Sequence, residues 1–237
     1  MAERARVRVP LRLRRAGLDR SPGRRLRCAV LAATAEEWAG VDIASGGFVR
    51  SRPLRGGAGG EGWEQGWEPL DVALVEVGED PEPPDPARPE GIAFAGAPEL
   101  VGRLARGSRR RLLRQLSTPE ARGASVLGSR GPSIAYVECD LTAPSLTLLA
   151  VSPRVLRCHL DESGRLRCEF SWSGIRNSLP LLDPRVLRVL ADAPDQSSLD
   201  AAALARAVGG KPGYLLVGLT AVRDGHAPKA VLSVLAR

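Results

Sequence analysis

Cys158, His159 and Cys168 come nearest to a metal-ligating set, since two thiols and an imidazole are the donors zinc prefers. A structural zinc needs four ligands, and no convincing fourth stands nearby; Cys158 and Cys168 also fall on the apolar side of alternating runs. No metal or other cofactor is expected. The four cysteines, at 28, 139, 158 and 168, make no CxxC pair. Each lies in an apolar run such as Arg27-Cys28-Ala29-Val30-Leu31, which reads as buried free thiols in a reducing, cytoplasmic setting. His159 and His226 are the only histidines, and His226 follows Asp224-Gly225 in a polar turn. No GxSxG, HExxH or P-loop is present. Gly56-Gly57-Ala58-Gly59-Gly60 lacks the Lys-Ser/Thr and helix of a phosphate loop, so it reads as flexible chain. The acids of 76–85 are spaced by prolines and read as solvated. The expectation is a protein that is not an enzyme.

The chemistry the residues do offer is anion binding. Arg157, His159, Arg165 and Arg167 alternate with apolar residues on both sides of the turn Asp161-Glu162-Ser163-Gly164. Two strands joined there put all four on one outward face, where arginines neutralise phosphates and rings stack on bases. Arg50, Arg52, Trp63 and Trp67 are further candidate nucleic-acid contacts in the first half of the chain. Arg103, Arg106, Arg110 and Arg114 form a basic stretch that would extend the track.

Net charge points less clearly. The chain has 237 residues and a formal charge of +7. Residues 1–27 hold ten arginines against Glu3 and Asp19, so the remaining chain is close to neutral. Of 34 basic residues, only Lys211 and Lys229 are lysines, a bias that a GC-rich genome produces whatever the function. From 61 to 99 the net charge is −10, and from 100 to 130 it is +7. Such segregation suits a protein interface as well.

The elements that would position these residues are mostly strands. Hydrophobic residues at 43% and charged residues at 26% suit a globular core, built from Leu, Val and Ala because aromatics are only 4%. No apolar run approaches the roughly 18 residues of a membrane span, so no membrane contact is expected. Residues 1–25 read as a basic arm in which Arg4 to Val9 alternates like an edge strand. Leu26 to Ala33 is a strand, and Gly40 to Arg50 is a hairpin turning at Ser45-Gly46-Gly47. Leu70 to Val77 is another strand, and 78–90 a Pro-rich and acidic loop. The apolar spacing over 98–116 predicts a helix. Strands follow at 146–151, 155–160, 165–172, 214–220 and 230–235, with a helix near 198–208 ending at Gly209-Gly210.

Three segments carry a resemblance. Ala39-Gly40-Val41-Asp42-Ile43-Ala44-Ser45-Gly46-Gly47-Phe48-Val49-Arg50 resembles the opening of the dual OB-containing domain family. Leu179-Pro180-Leu181-Leu182-Asp183-Pro184 resembles its second-half motif, and Gly213-Tyr214-Leu215-Leu216-Val217-Gly218-Leu219-Thr220 its closing strand. Phe48 stands where that family carries tryptophan, and Ser51-Arg52-Pro53 replaces Pro-Val. The resemblance implies two tandem OB-like β-barrels and nucleic-acid binding. The expected organisation is therefore mainly β: an arm at 1–25, a first barrel at 26–97, an Arg-rich helical connector at 98–124 and a second barrel at 125–237. The expected function is binding of single-stranded or structured nucleic acid. The alternative is a regulatory subunit that docks a protein through the acidic (61–99) and basic (100–130) segments.

Overall fold

The computed structural model describes residues 5–8, 18–51, 66–80, 82–192 and 197–237. The protein is mainly β, with three α-helices among the described residues. It divides into two compact units: residues 1–85 with 90–116, and residues 86–89 with 117–237.

The first unit is one curled sheet. Its strands are β1 (Arg6–Val7), β2 (Arg25–Ala33), β3 (Trp38–Asp42), β4 (Phe48–Ser51), β5 (Asp71–Glu76), β6 (Gly91–Ile92) and β7 (Glu99–Leu104), in the order β1-β7-β5-β2-β3-β4-β6. The hairpin β3–β4 forms as expected. Asp42 accepts hydrogen bonds from the Ser45 N–H at 2.9 Å and the Ser45 hydroxyl at 2.6 Å, and Gly46 takes the positive φ of the turn. Leu26, Cys28, Val30, Val49, Ala73 and Val75 bury around Trp38, which meets the Phe94 ring edge-on with centroids 5.6 Å apart.

The expected helix over 98–116 is shorter. Glu99–Leu104 pairs with β5 as a strand, and only α1 (Arg106–Leu116) is helical, burying Leu112 and Leu113. A leucine at 100 and another at 104 satisfy a helical spacing and a strand's alternation alike, and pairing with β5 decides for the strand. Helix α1 belongs to the first unit. Part of the expected arm is structure too: β1 runs parallel to β7, with Ala5 and Val7 carbonyls accepting from Arg103 and Ala105. The approach is close enough that a Cβ on Gly102 would stand 2.3 Å from the Ala5 carbonyl oxygen.

The second unit contains β8 (Ser117–Thr118), β9 (Ser133–Ala135), β10 (Leu146–Ala150), β11 (Arg157–Leu160), β12 (Leu166–Trp172) and β13 (Ile175–Pro180). Then come α2 (Pro184–Ala191), β14 (Ser198–Leu199), α3 (Ala201–Ala207), β15 (Pro212–Leu219) and β16 (His226–Ala236). Two sheets result, β8-β10-β15-β16-β9 and β13-β12-β11-β14. Their apolar faces share one core, with Leu149, Leu215, Val217 and Val234 from the first and Cys158, Cys168, Phe170 and Leu179 from the second. After β13 the chain crosses to the first sheet, where Leu181 bridges Val231 and the Leu182 N–H donates to the Val231 carbonyl at 2.8 Å. Asp183 then caps α2, accepting from Arg185 N–H at 3.0 Å, with Pro184 in the first turn. Helix α3 starts at its cap Asp200, with Ser198–Leu199 taken by β14. Gly209 at φ 68° follows its end.

Lys229 on β16 is 1% exposed and donates to the Ser129 carbonyl. Burial pushes its ammonium down from 10.5 to about 8. The unfolded chain keeps that proton up to its ordinary value, so between these two values it binds more protons than the folded chain. Stability from this group therefore rises with pH across that window and is flat below it.

Two outcomes follow. In Gly102→Ala, the added Cβ forces β1 off β7, so hydrogen exchange at the Arg103 and Ala105 amides should speed up by at least about tenfold; unchanged protection would contradict the close approach. In Lys229→Met, the rise in urea stability from about pH 8 to about pH 10 should shrink relative to wild type. Parallel curves for the two proteins would show that Lys229 keeps its ordinary proton affinity.

Candidate nucleic-acid interface

Strands β11 and β12 pair in a register that sets Arg157 opposite Glu169, Cys158 opposite Cys168, His159 opposite Arg167 and Leu160 opposite Leu166. Because side chains alternate across a strand, this register sends both thiols to the core and sends Arg157, His159, Arg167 and Glu169 to the other face. The imidazole and the two thiols thus lie on opposite sides of one sheet. Among the described residues, no cluster of three or more His, Cys, Asp or Glu is placed to hold a metal.

The turn that joins the strands is held by its aspartate. Asp161 accepts from the Ser163 hydroxyl at 2.7 Å, the Arg165 N–H at 2.9 Å and the Ser163 N–H at 3.0 Å. These bonds favour the charged carboxylate, with the Ser163 hydroxyl foremost, and hold its pKa below the ordinary value. Arg165 is exposed at the end of the turn.

The four basic residues therefore share one face, as the alternation predicts. Arg157 and Arg165 are exposed, while His159 and Arg167 are half-buried. Arg167 is fixed by donation to the Ser178 carbonyl on β13 at 2.7 Å. Among the described residues, no side-chain hydrogen bond or ion pair holds Arg157, Arg165, His159 or the neighbouring Arg154. Glu169 offsets part of the charge but lies only 3.9 Å from Arg176 on the next strand. A groove of about 880 Å³ runs beside this face. Arg154, Arg157, His159, Glu169, Ser198 and Asp200 supply its polar walls, and Leu156 and Leu199 also line it. Arg154 and the β14 wall were not singled out from the sequence. Arg154 belongs to a 3-10 turn at Pro153–Val155, and β14 pairs with β11 from a segment distant along the chain.

The other candidates are placed differently. Arg50 is fully buried on β4, where its Nε donates to Glu37 Oε2 at 3.1 Å and its Nη2 to the same oxygen. It presents no charge to a ligand, which departs from the expectation for that residue. Trp67 is half-buried, packed edge-on against Trp38 with centroids 6.4 Å apart. Arg52, Trp63 and the 56–60 glycine run lie outside the described residues. In the first unit, Arg106, Arg110 and Arg114 are exposed along one stripe of α1. Arg103 stands on β7, ion-paired with Glu68 at 2.6 Å. No helix among the described residues is long and apolar enough to cross a membrane.

Comparison with known proteins finds no family model, no curated protein and no solved structure that matches the chain.

Arg50 and Arg165 should part in stability. Arg50→Met removes the buried guanidinium that Glu37 accepts from and should cost about 3–5 kcal/mol. Arg165→Met removes only a solvated charge and should stay within about 0.5 kcal/mol of wild type. Urea unfolding of both variants checks this, and similar losses for the two would contradict the contrast in burial.

Proposed function

We propose that the protein binds nucleic acid, single-stranded or structured, through backbone contacts on the exposed face of β11 and β12. One observation carries the reading: Arg157, His159, Arg165 and Arg167 gather on a single face, three of them with no partner among the described residues, beside a groove that Arg154 also lines. Unpaired guanidinium groups on a strand face meet phosphates without first breaking an ion pair, and the release of counterions from the nucleic acid drives the association. A half-buried imidazole at the groove adds a ring against which a base can stack. In this reading the two units are OB-like barrels, after the family their three segments resemble. The curled, mostly antiparallel sheets are compatible with that and coarser than it.

The docking alternative has an observation of its own. Glu68, from the acidic segment, pairs with Arg103, from the basic one, inside the first unit. Part of the charge segregation along the chain is thereby spent within the fold, which favours the nucleic-acid reading over an external acidic partner for those residues.

The test is fluorescence anisotropy with a labelled single strand at several salt concentrations, on wild type and on the variant Arg157→Glu/Arg165→Glu/Arg167→Glu. Wild type should bind with strong salt dependence. The variant should bind at least about tenfold more weakly, with a log–log salt slope shallower by about 2, since single strands lose roughly 0.7 per phosphate contact. Circular dichroism should show the variant folded. Equal curves for the two proteins, or no binding by wild type at low salt, would defeat the assignment.

A further inference from the structure

Beneath the basic face lies a pair of nucleophiles that binding does not use. Cys158 and Cys168 are free, fully buried and directly opposite each other on β11 and β12. Which kind of opposed pair they form follows from the turn. Asp161 N–H donates to the Arg165 carbonyl at 2.9 Å, and hydrogen-bonded and non-bonded pairs alternate from there. His159–Arg167 and Arg157–Glu169 are thus the bonded pairs, and Leu160–Leu166 and Cys158–Cys168 the non-bonded ones. The Leu160 N–H agrees, turning away from β12 to the Ser197 carbonyl at 2.8 Å. At non-bonded positions the Cα atoms stand about 4.5 Å apart with side chains at their closest. That separation falls within the roughly 4.4–6.8 Å a disulfide spans without moving the backbone. The neighbouring Cys158 thiol, with burial and the charge of Glu169, pushes the Cys168 thiol well up.

We propose that Cys158 and Cys168 are a modification site, which hydrogen peroxide converts to a cross-strand disulfide. One sulfur, as its thiolate, attacks an oxygen of the peroxide. The O–O bond breaks, an S–O bond forms, and the released hydroxide takes up the thiol's proton as water. The second sulfur then attacks the sulfenic sulfur. The S–S bond forms, the S–O bond breaks, and the departing hydroxide leaves with the second thiol's proton as water. Two thiols lose two electrons, and the peroxide gains them. The way in is beside β14, the two-residue strand whose Leu199 pairs with Cys158 next to the groove. So short an edge opens locally at little cost. Because both sulfurs are buried, oxidation proceeds at the rate of that opening, more slowly than at the half-buried Cys139. The finished bond would tie the two strands of the hairpin together directly under Arg157, His159 and Arg167.

The experiment treats the full chain, natively folded, with hydrogen peroxide, then blocks remaining thiols under denaturing conditions and maps tryptic peptides by mass spectrometry. Cleavage after Arg157, Arg165, Arg167 and Arg176 gives a product of its own, peptide 158–165 joined to peptide 168–176. That species should accumulate in wild type and in Cys139→Ser, and be missing from Cys158→Ala and Cys168→Ala. The oxidised wild type should melt higher by on the order of 10 °C, and addition of a reductant should reverse the shift. The proposal is overturned by no joined peptide once Cys139 has been oxidised, or by joined peptides that pair Cys28 or Cys139 with these residues in equal amount. An unchanged melting temperature despite the joined peptide would also overturn it, because the bond would then have formed without constraining the folded hairpin.

Discussion

The second unit is organised by one buried carboxylate. Asp183 is 1% exposed, yet it accepts from the Arg185 backbone at 3.0 Å, from the Arg185 guanidinium at 2.7 and 3.0 Å, and from the Val234 N–H at 2.9 Å. A charge taken so far from water is tolerated only when its lone pairs are filled, and here the partners come from a helix start and from β16. Arg185 closes the circuit by donating to the Val234 carbonyl at 2.7 Å. The chain leaving β13 is therefore held to the far sheet at the point where α2 begins. The four-stranded sheet, its basic face and the groove beside it take their position from that crossing. Pro184 helps by presetting the first helical turn and by having no N–H that would need a partner.

How far the sequence was legible depends on how local each cause is. The hairpin of β11 and β12 could be read because alternation and an Asp-x-Ser-Gly turn are local signals, and they also fix which residues face out. The turn at Ser45 to Gly47 was legible for the same reason. The hairpin of β12 and β13 was missed, although Ser173 and Gly174 both take positive φ as a two-residue turn requires; a serine does not advertise that conformation as an asparagine would. Helix α2 goes unread despite an Asp-Pro start, because Val186, Val189 and Leu190 share a stripe over only two turns, too short a run to tell from a buried strand. Strand β7 reads as helix in the sequence because its pairing partner β5 lies some distance away along the chain, and a long-range partner leaves no mark on local spacing.

The site divides in the same way. Arg157, His159, Arg165 and Arg167 share their face for reasons contained in the strand itself. Arg50 carries the same side chain, and its environment is decided by Glu37 on the chain entering β3, a contact that a charge count treats as two solvated groups. Arg103 and Glu68 likewise cancel across separate segments. For a chain this rich in arginine, composition overstates the charge available to a ligand, and only burial and pairing separate structural guanidinium groups from free ones.

Arg167 differs from its neighbours in one further respect, its bond to the Ser178 carbonyl. A long side chain that orders on contact gives up rotamer freedom worth up to about 2 kcal/mol. Arg167 has surrendered much of this on folding, whereas Arg157 and Arg165, with no side-chain partner among the described residues, would surrender it only in the proposed complex. The face thus combines one guanidinium fixed by a hydrogen bond with two exposed ones that no side-chain bond holds among the described residues. In the proposed complex, a ligand seated on Arg167 would meet a reference point of defined direction, and the outer pair would follow an irregular backbone without changing that seat. Rigidity and tolerance are thereby divided among residues of the same type by a single carbonyl on the adjacent strand.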